Sequence, residues 1–334
     1  MRYCDLRTLT TAMVVLAAAP LANARAAESS PLQLERKIPL GDIVGRIDHM
    51  AVDLARQHLF VAELGNNSVG IVDLKRPDVW ARITGLNEPQ GVGYAESNDM
   101  LYVANGADGS VRLFQGADFK EAGRIETGDD ADNVRIGAAG RQVVVGYGEG
   151  AFAVIDMEQN RKIADYALDG HPEGFRLKNG DSRIFVNVPD ARAVEVVDRM
   201  DGKTLAKWPT GEWGGNFPMI LDEDSQQVIV VFRDPAMLAA FSMADGAKVA
   251  SSPTCGDSDD VFVDAKRHRI YVSCGEGFLD VFEPQGATYR RIDHIPTVSG
   301  ARTSLYVPEL DRLFLAVRAS AQQPAEIWVY RPSP

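Results

Sequence analysis

Short apolar runs recur along this chain at near-constant spacing. Each unit holds an apolar triplet, a Gly/Asn/Asp-rich turn and a second apolar stretch. The copies read LFVAELGNNSVGIVDL (59–74), LYVANGADGSVRLF (101–114), VVVGYGEGAFAVID (143–156), IFVNVPDARAVEVVD (184–198), VIVVFRDPAMLAAF (228–241), IYVSCGEGFLDVF (270–282) and LFLAVRASAQQPAEIWVY (313–330). The triplets centre on Phe60, Tyr102, Val144, Phe185, Ile229, Tyr271 and Phe314, spaced 42, 42, 41, 44, 42 and 43 residues apart. A period held that tightly across a chain is the signature of a repeat architecture.

Each unit parses into four short β-branched or aromatic runs bounded by Gly, Asn, Asp and Pro, which read as strands. In the first unit they are His49–Asp53, Leu59–Leu64, Ser68–Leu74 and Trp80–Leu86. After residue 26 no segment sustains apolar spacing of i, i+3, i+4, i+7, so essentially no helix is expected. Four strands per 40–45 residues, repeated seven times, predict an all-β, seven-bladed β-propeller of four antiparallel strands per blade. The seventh unit has strands at Ser304–Val307, Arg312–Val317 and Ile327–Arg331 but lacks a fourth. The segment Leu34–Leu40 resembles the other fourth strands and is expected to complete that blade and close the ring.

Residues 1–26 follow a different pattern. Arg2 and Arg7 precede an apolar stretch, Leu9 to Ala22, followed by the small-x-small sites Ala22-Asn23-Ala24 and Ala24-Arg25-Ala26. This is the arrangement of a secretory signal peptide. The stretch is too short for a stable membrane anchor. Cys4 precedes the apolar core, so no lipid anchor is read. The expected organisation is a signal peptide at 1–26 and one propeller domain at 27–334, with the protein periplasmic or secreted and a monomer because the ring closes on itself.

The 334 residues are 45% apolar and 25% charged, ordinary values for a packed globular protein. The net charge of −12 becomes −14 once three Arg and one Asp leave with the leader. An acidic chain of this kind argues against a nucleic-acid partner.

The units resemble the YVTN-type propeller repeat, and the chain after the leader is similar to YncE-like exported seven-bladed propellers. The residues that carry this are LYVAN (101–105), the strands SVGIVDL and SVRLF, and the openings GRIDHMAVD (45–53) and GHPEGF (170–175). The literal YVTN is absent, as is the Pro-Asp-Gly turn between first and second strands. Members of that family are mostly binding proteins or uncharacterised, and the resemblance implies a compartment and a shape, not a reaction. Related propellers include amine dehydrogenase heavy subunits, lactonases and streptogramin lyases.

In a propeller the strand four-to-one and two-to-three loops emerge on one face, around the central channel. Twelve residues before each triplet centre stand Asp48, Gln90, Asp132, Glu173, Asp259 and Arg302, with Phe217 beside Asn216 in the fifth unit. Their neighbours add His49, Asn133 and Asp260. The channel mouth is therefore expected to be polar. Asp48, Gln90, Asp132, Asn133, Asn216, Trp213 and Arg302 are the candidate ligand-binding residues for a small polar molecule or a periplasmic protein partner. Asp48, Asp132, Glu173 and Asp259 are candidate oxygen ligands for Ca²⁺ or Mg²⁺. His49, His171 and Glu173 are candidate acid/base groups, because like-charged neighbours raise a carboxyl pKa into a useful range. Neutralising Arg302 is expected to weaken binding. Tyr147, Arg192, Arg233 and Arg318 fall on or near the same face. Trp213, in GEWGGNF (211–217), offers a flat surface to a sugar, quinone or peptide. Two acidic loops, 128–133 and 256–260, lack EF-hand spacing, and Asp129 and Asp257 read as turn residues. His58, His268 and His294 are assigned no chemistry.

Enzyme signatures are missing: there is no G-x-S-x-G, P-loop, dinucleotide fingerprint or HExxH. Three functions stay open: a non-catalytic binding propeller, a divalent-metal-assisted lactonase or lyase, and an accessory subunit of a periplasmic redox enzyme. After residue 26 the chain holds two cysteines. Cys255 precedes the first strand of unit six and Cys274 ends its second, roughly opposite Asp259. An oxidising compartment favours their pairing; free thiols or a soft-metal pair are the alternatives.

Overall fold

The computed structural model describes Met1 and residues 30–137 and 141–334; the expected leader lies, beyond Met1, outside the described residues. Seven four-stranded antiparallel sheets follow one another along the chain. The first is built from Met50–Asp53, His58–Glu63, Ser68–Asp73 and Asp78–Thr84, within two residues of the sequence expectation at each end. The described helix consists of two single 3-10 turns, Leu64–Asn66 and Pro308–Leu310.

The continuous apolar runs follow from burial on both faces of each blade. Alternate residues of a strand point to opposite sides of its sheet. In blade 1, Leu59 and Val61 join a cluster shared with blade 7, whereas Phe60 and Ala62 join one shared with blade 2. Seven such clusters among the described residues lie one at each blade interface. Near the axis the inner strands come close enough to exclude a side chain. A Cβ on Gly91 would meet the Asp132 carbonyl oxygen at 1.9 Å, and one on Gly174 the Phe217 carbonyl oxygen at 2.5 Å.

Closure is as expected. Leu32–Pro39 pairs antiparallel with Glu326–Pro332, from Leu32 opposite Pro332 to Pro39 opposite Glu326, and becomes the outer strand of blade 7. Leu32 and Ile38 are buried there, so the strand is held by packing as well as by its ladder.

Charged clamps join neighbouring blades on the face where first strands turn into second. Arg56 bonds to Asp53 of its own blade and through two nitrogens, at 2.8 Å each, to Asp99 of the next. Arg267 repeats this with Asp264 and Asp311. Cys255 and Cys274 form a disulfide with a Cα separation of 5.8 Å, tying the blade 5–6 connection to the second strand of blade 6.

Candidate functional site

The channel-mouth residues are positioned by one repeated hydrogen bond. Asp48, Asp132 and Glu173 each precede the innermost strand of their blade. Each donates its backbone N–H to the second strand, at Ala62, Gly146 and Asn187, over 2.8, 2.9 and 3.0 Å. The chain is thus pinned just before it enters the sheet, and the side chain turns toward the axis.

Asp48, His49, Asp132, Asn133, Glu173, Asp259 and Asp260 line one small chamber of about 30 Å³. Arg46, Arg135 and Arg176 line it too. That volume is on the order of one water or one head group. His49 Nε2 lies 3.8 Å from Asp48 Oδ1 and 3.7 Å from Asp132 Oδ1. Arg46 Nη2 stands 2.7 Å from Asp48 Oδ2 as an ion pair, without hydrogen-bond alignment, so that buried oxygen has no hydrogen bond. Asp132 Oδ1 is likewise buried without one. Among the described residues no hydrogen bond or ion pair holds the Glu173 carboxyl. Asp259 is occupied: Arg233 lies at 2.7 Å, Arg302 at 3.4 Å.

Burial sets the protonation of these groups. Desolvation, reinforced by Asp132 and Asp259, pushes Glu173 up to about 8. Desolvation raises Asp48 to about 7 against the pull of Arg46, and Asp132 to about 6 against the pull of His49. Burial lowers His49, so its imidazole is neutral at neutral pH. The chamber therefore mixes donor and acceptor: a protonated Glu173 beside an ionised Asp132.

Other expected site residues lie elsewhere. Gln90 turns to Asp130, its Nε2 2.8 Å from Oδ1, and does not line the chamber. Asn216 is buried with its amide on the Ala193 carbonyl and Asn187. His171 Nδ1 sits 2.6 Å from the Gly148 carbonyl and makes no pair with Glu173. Arg302 reaches the mouth but is tied to Asp257 at 2.6 Å, which makes Asp257 an ion-pair partner as well as a positive-φ turn residue. Asp129 is a turn residue through its carbonyl, which accepts from Gly148 N–H. Trp213 lies away from the axis, in a groove of about 380 Å³ between the outer strands of blades 4 and 5, with Lys248 over its ring at 4.4 Å. Among the described residues, no three His, Cys, Asp or Glu side chains are grouped closely enough to hold a metal ion as they stand.

Sequence reasoning missed Arg46, Arg135 and Arg176. Arg135 and Arg176 stand nine residues before their triplet centres. The other blades place Ala51, Gly93, Ile220, Phe262 and Leu305 there. Two charges at an otherwise apolar inner-strand position were the available signal. With His49 and Asp260, they form a waist between the mouth and a second chamber below.

Comparison with known proteins rests on shape. No family model matches the chain, and no curated protein matches its sequence. Solved structures that share the ring include the following two. Kuenenia stuttgartiensis hydrazine synthase superposes with a TM-score of 0.74 at 15% identity, over 83% of this chain and 96% of that one. A chain of the mitotic checkpoint complex superposes at 0.77 and 13% identity, over 96% and 98%. At these identities the likeness shows the propeller fold alone.

Proposed function

We propose that this chain is an exported propeller, YncE-like in its repeats, that binds a small polar molecule at the channel mouth. The observation that carries the reading is the buried carboxylate oxygen Asp132 Oδ1, which faces the chamber without a hydrogen bond, its nearest partner the neutral His49 ring at 3.7 Å. Buried acceptors left unmet are costly, and a ligand donor would remove that cost. The chamber admits a head group rather than a whole molecule, so the ligand inserts an amine or hydroxyl and leaves its body in the mouth. Export is supported by the leader-like pattern of residues 1–26 and by a disulfide suited to an oxidising compartment.

A divalent cation on Asp48, Asp132, Glu173 and Asp259 is the second reading, with His49 as acid/base in a lactonase- or lyase-type reaction. The guanidiniums favour the first. Arg46 already neutralises Asp48, and Arg233 with Arg302 neutralises Asp259, leaving two carboxyls where a hard cation seeks six to eight oxygens. An accessory role in a redox complex would use the outer surface, where Trp213 and Lys248 are available.

Native mass spectrometry of the protein purified from its own source separates these readings. An organic mass that survives chelation and is lost in Asp132→Asn supports the ligand. A mass lost on chelation transfers the site to a metal. A bare polypeptide from native material overturns both.

A further inference from the structure

Beneath the waist the channel widens into a chamber of about 420 Å³. It runs toward the face opposite the mouth, where the inner strands end. Its wall is apolar, with Val52, Val92, Val134, Ile136, Ile220 and Phe262. Its roof is not: Arg135, Arg176, Asp260 and His49 stand there. We propose that this chamber binds a small organic monocarboxylate, with the carboxylate on Arg176 and Arg135 and the apolar body against the wall.

The guanidiniums are incompletely satisfied. Arg135 donates Nε to the Phe175 carbonyl at 3.1 Å, Nη1 to the Val134 carbonyl at 2.9 Å and Nη2 to Asn133 Oδ1 at 2.7 Å. Arg176 donates only Nη1, at 2.9 Å, to the same Phe175 carbonyl. Its Nε and Nη2, the edge that grips a carboxylate bidentately, have no hydrogen-bond partner among the described residues. No described carboxylate lies within ion-pair distance of either guanidinium. Asp260 accepts from Ser304 N–H at 2.8 Å instead.

The charge balance points the same way. Burial, with Asp259 nearby, raises the Asp260 pKa well above its usual range. Burial lowers Arg176 only to about 9, so it stays charged at neutral pH. Two guanidiniums therefore share the roof with a neutral His49 and with an Asp260 that pairs with neither of them. The two guanidiniums are half-buried and open to the chamber, and an entering anion would meet both charges without displacing a carboxylate of the protein. A bare inorganic anion would meet that charge and leave the apolar wall wet. A carboxylate with a hydrocarbon body meets both, in a volume typical of small-molecule sites.

The test is calorimetric titration of the intact protein, near neutral pH, with benzoate, 4-phenylbutyrate and octanoate, each beside its neutral amide. At least one acid is expected to bind, with its amide at least tenfold weaker. Arg176→Gln, checked for fold by circular dichroism, is expected to weaken that acid at least tenfold. Binding by none of the three acids overturns the proposal. So does equal binding of acid and amide, a comparison that needs no variant. Acid binding that persists in a folded Arg176→Gln protein also overturns it.

Discussion

The His49 imidazole of blade 1 lies 3.7 Å from the Asp132 carboxylate of blade 3, reaching past blade 2 across the channel. Asp48 lies 3.8 Å from the same nitrogen. Three titratable groups from two blades thus share one buried space, and the fold pays for that arrangement in a pH-dependent way.

Asp48, Asp132 and Glu173 titrate in the folded protein at about 7, 6 and 8, above their unfolded values. Between the ordinary carboxylate range and about pH 8 the folded state therefore binds more protons than the unfolded one, and rising pH favours unfolding. The lowered His49 opposes this, because its unfolded form takes up the extra proton. Three carboxyls outweigh one imidazole. At the acid end the sign reverses. Glu35, held at about 2 by Arg312, and Asp311, held at about 2 by Arg267, add stability as pH rises from there to the ordinary carboxylate range. Ligand-free protein is expected to be most stable in mildly acid solution and to lose stability steadily on going to pH 8. Denaturant melts across pH check this. Glu173→Gln should flatten the decline; an unchanged slope would mean that Glu173 titrates normally.

The architecture was legible because a propeller writes its period into every strand. Counting back from Phe60, Tyr102 and their equivalents also placed Asp48, Asp132, Glu173 and Asp259 around one chamber. Counting cannot see where a side chain turns once its backbone is placed. Gln90 occupies the same repeat position yet swings to Asp130. Asn216 is drawn into the blade by Asn187 and Ala193. Trp213 sits in a connecting loop, and its T-shaped packing on Phe232 carries it to the outer groove. Arg135 and Arg176 escaped notice because an Arg within a short strand usually reads as solvated. Only comparison across blades marks theirs as charges at an apolar position.

Deleting residues 31–41 should unfold or aggregate the protein. The deletion removes Leu32 and Ile38, which are buried at 2% and 0% exposure, and bares the Glu326–Pro332 strand as an open edge. Size-exclusion chromatography and a thermal melt decide it. A monomer with an unchanged melting curve would show that the ring holds without its closing strand.

Cys255→Ser with Cys274→Ser removes a cross-link spanning 19 residues. Loop-closure entropy puts the loss at about 3 kcal/mol. The two sulfurs are buried at the blade 5–6 interface, so repacking modifies the figure without changing its sign. Equilibrium denaturation of the double variant measures it. The bridge lies outside the channel chambers, so ligand affinity should change little in the folded double variant.

Arg56 and Arg267 occupy the same repeat position five blades apart, and their clamps should differ in strength. Each bonds an aspartate of its own blade and, bidentately, an aspartate of the next. The Arg267 side chain is 8% exposed and that of Arg56 36%. Both variants strand a buried aspartate of the same blade, Asp53 or Asp264, but water reaches the Arg56 guanidinium and screens its clamp, so breaking it should cost less, about 1–2 kcal/mol. Breaking the buried one strands Asp264, itself almost wholly buried and also bonded by Tyr271, and should cost about 3 kcal/mol. Arg56→Met and Arg267→Met compared by denaturant melts test this. Equal losses would mean that the bidentate geometry, rather than burial, sets the strength of a blade-to-blade clamp.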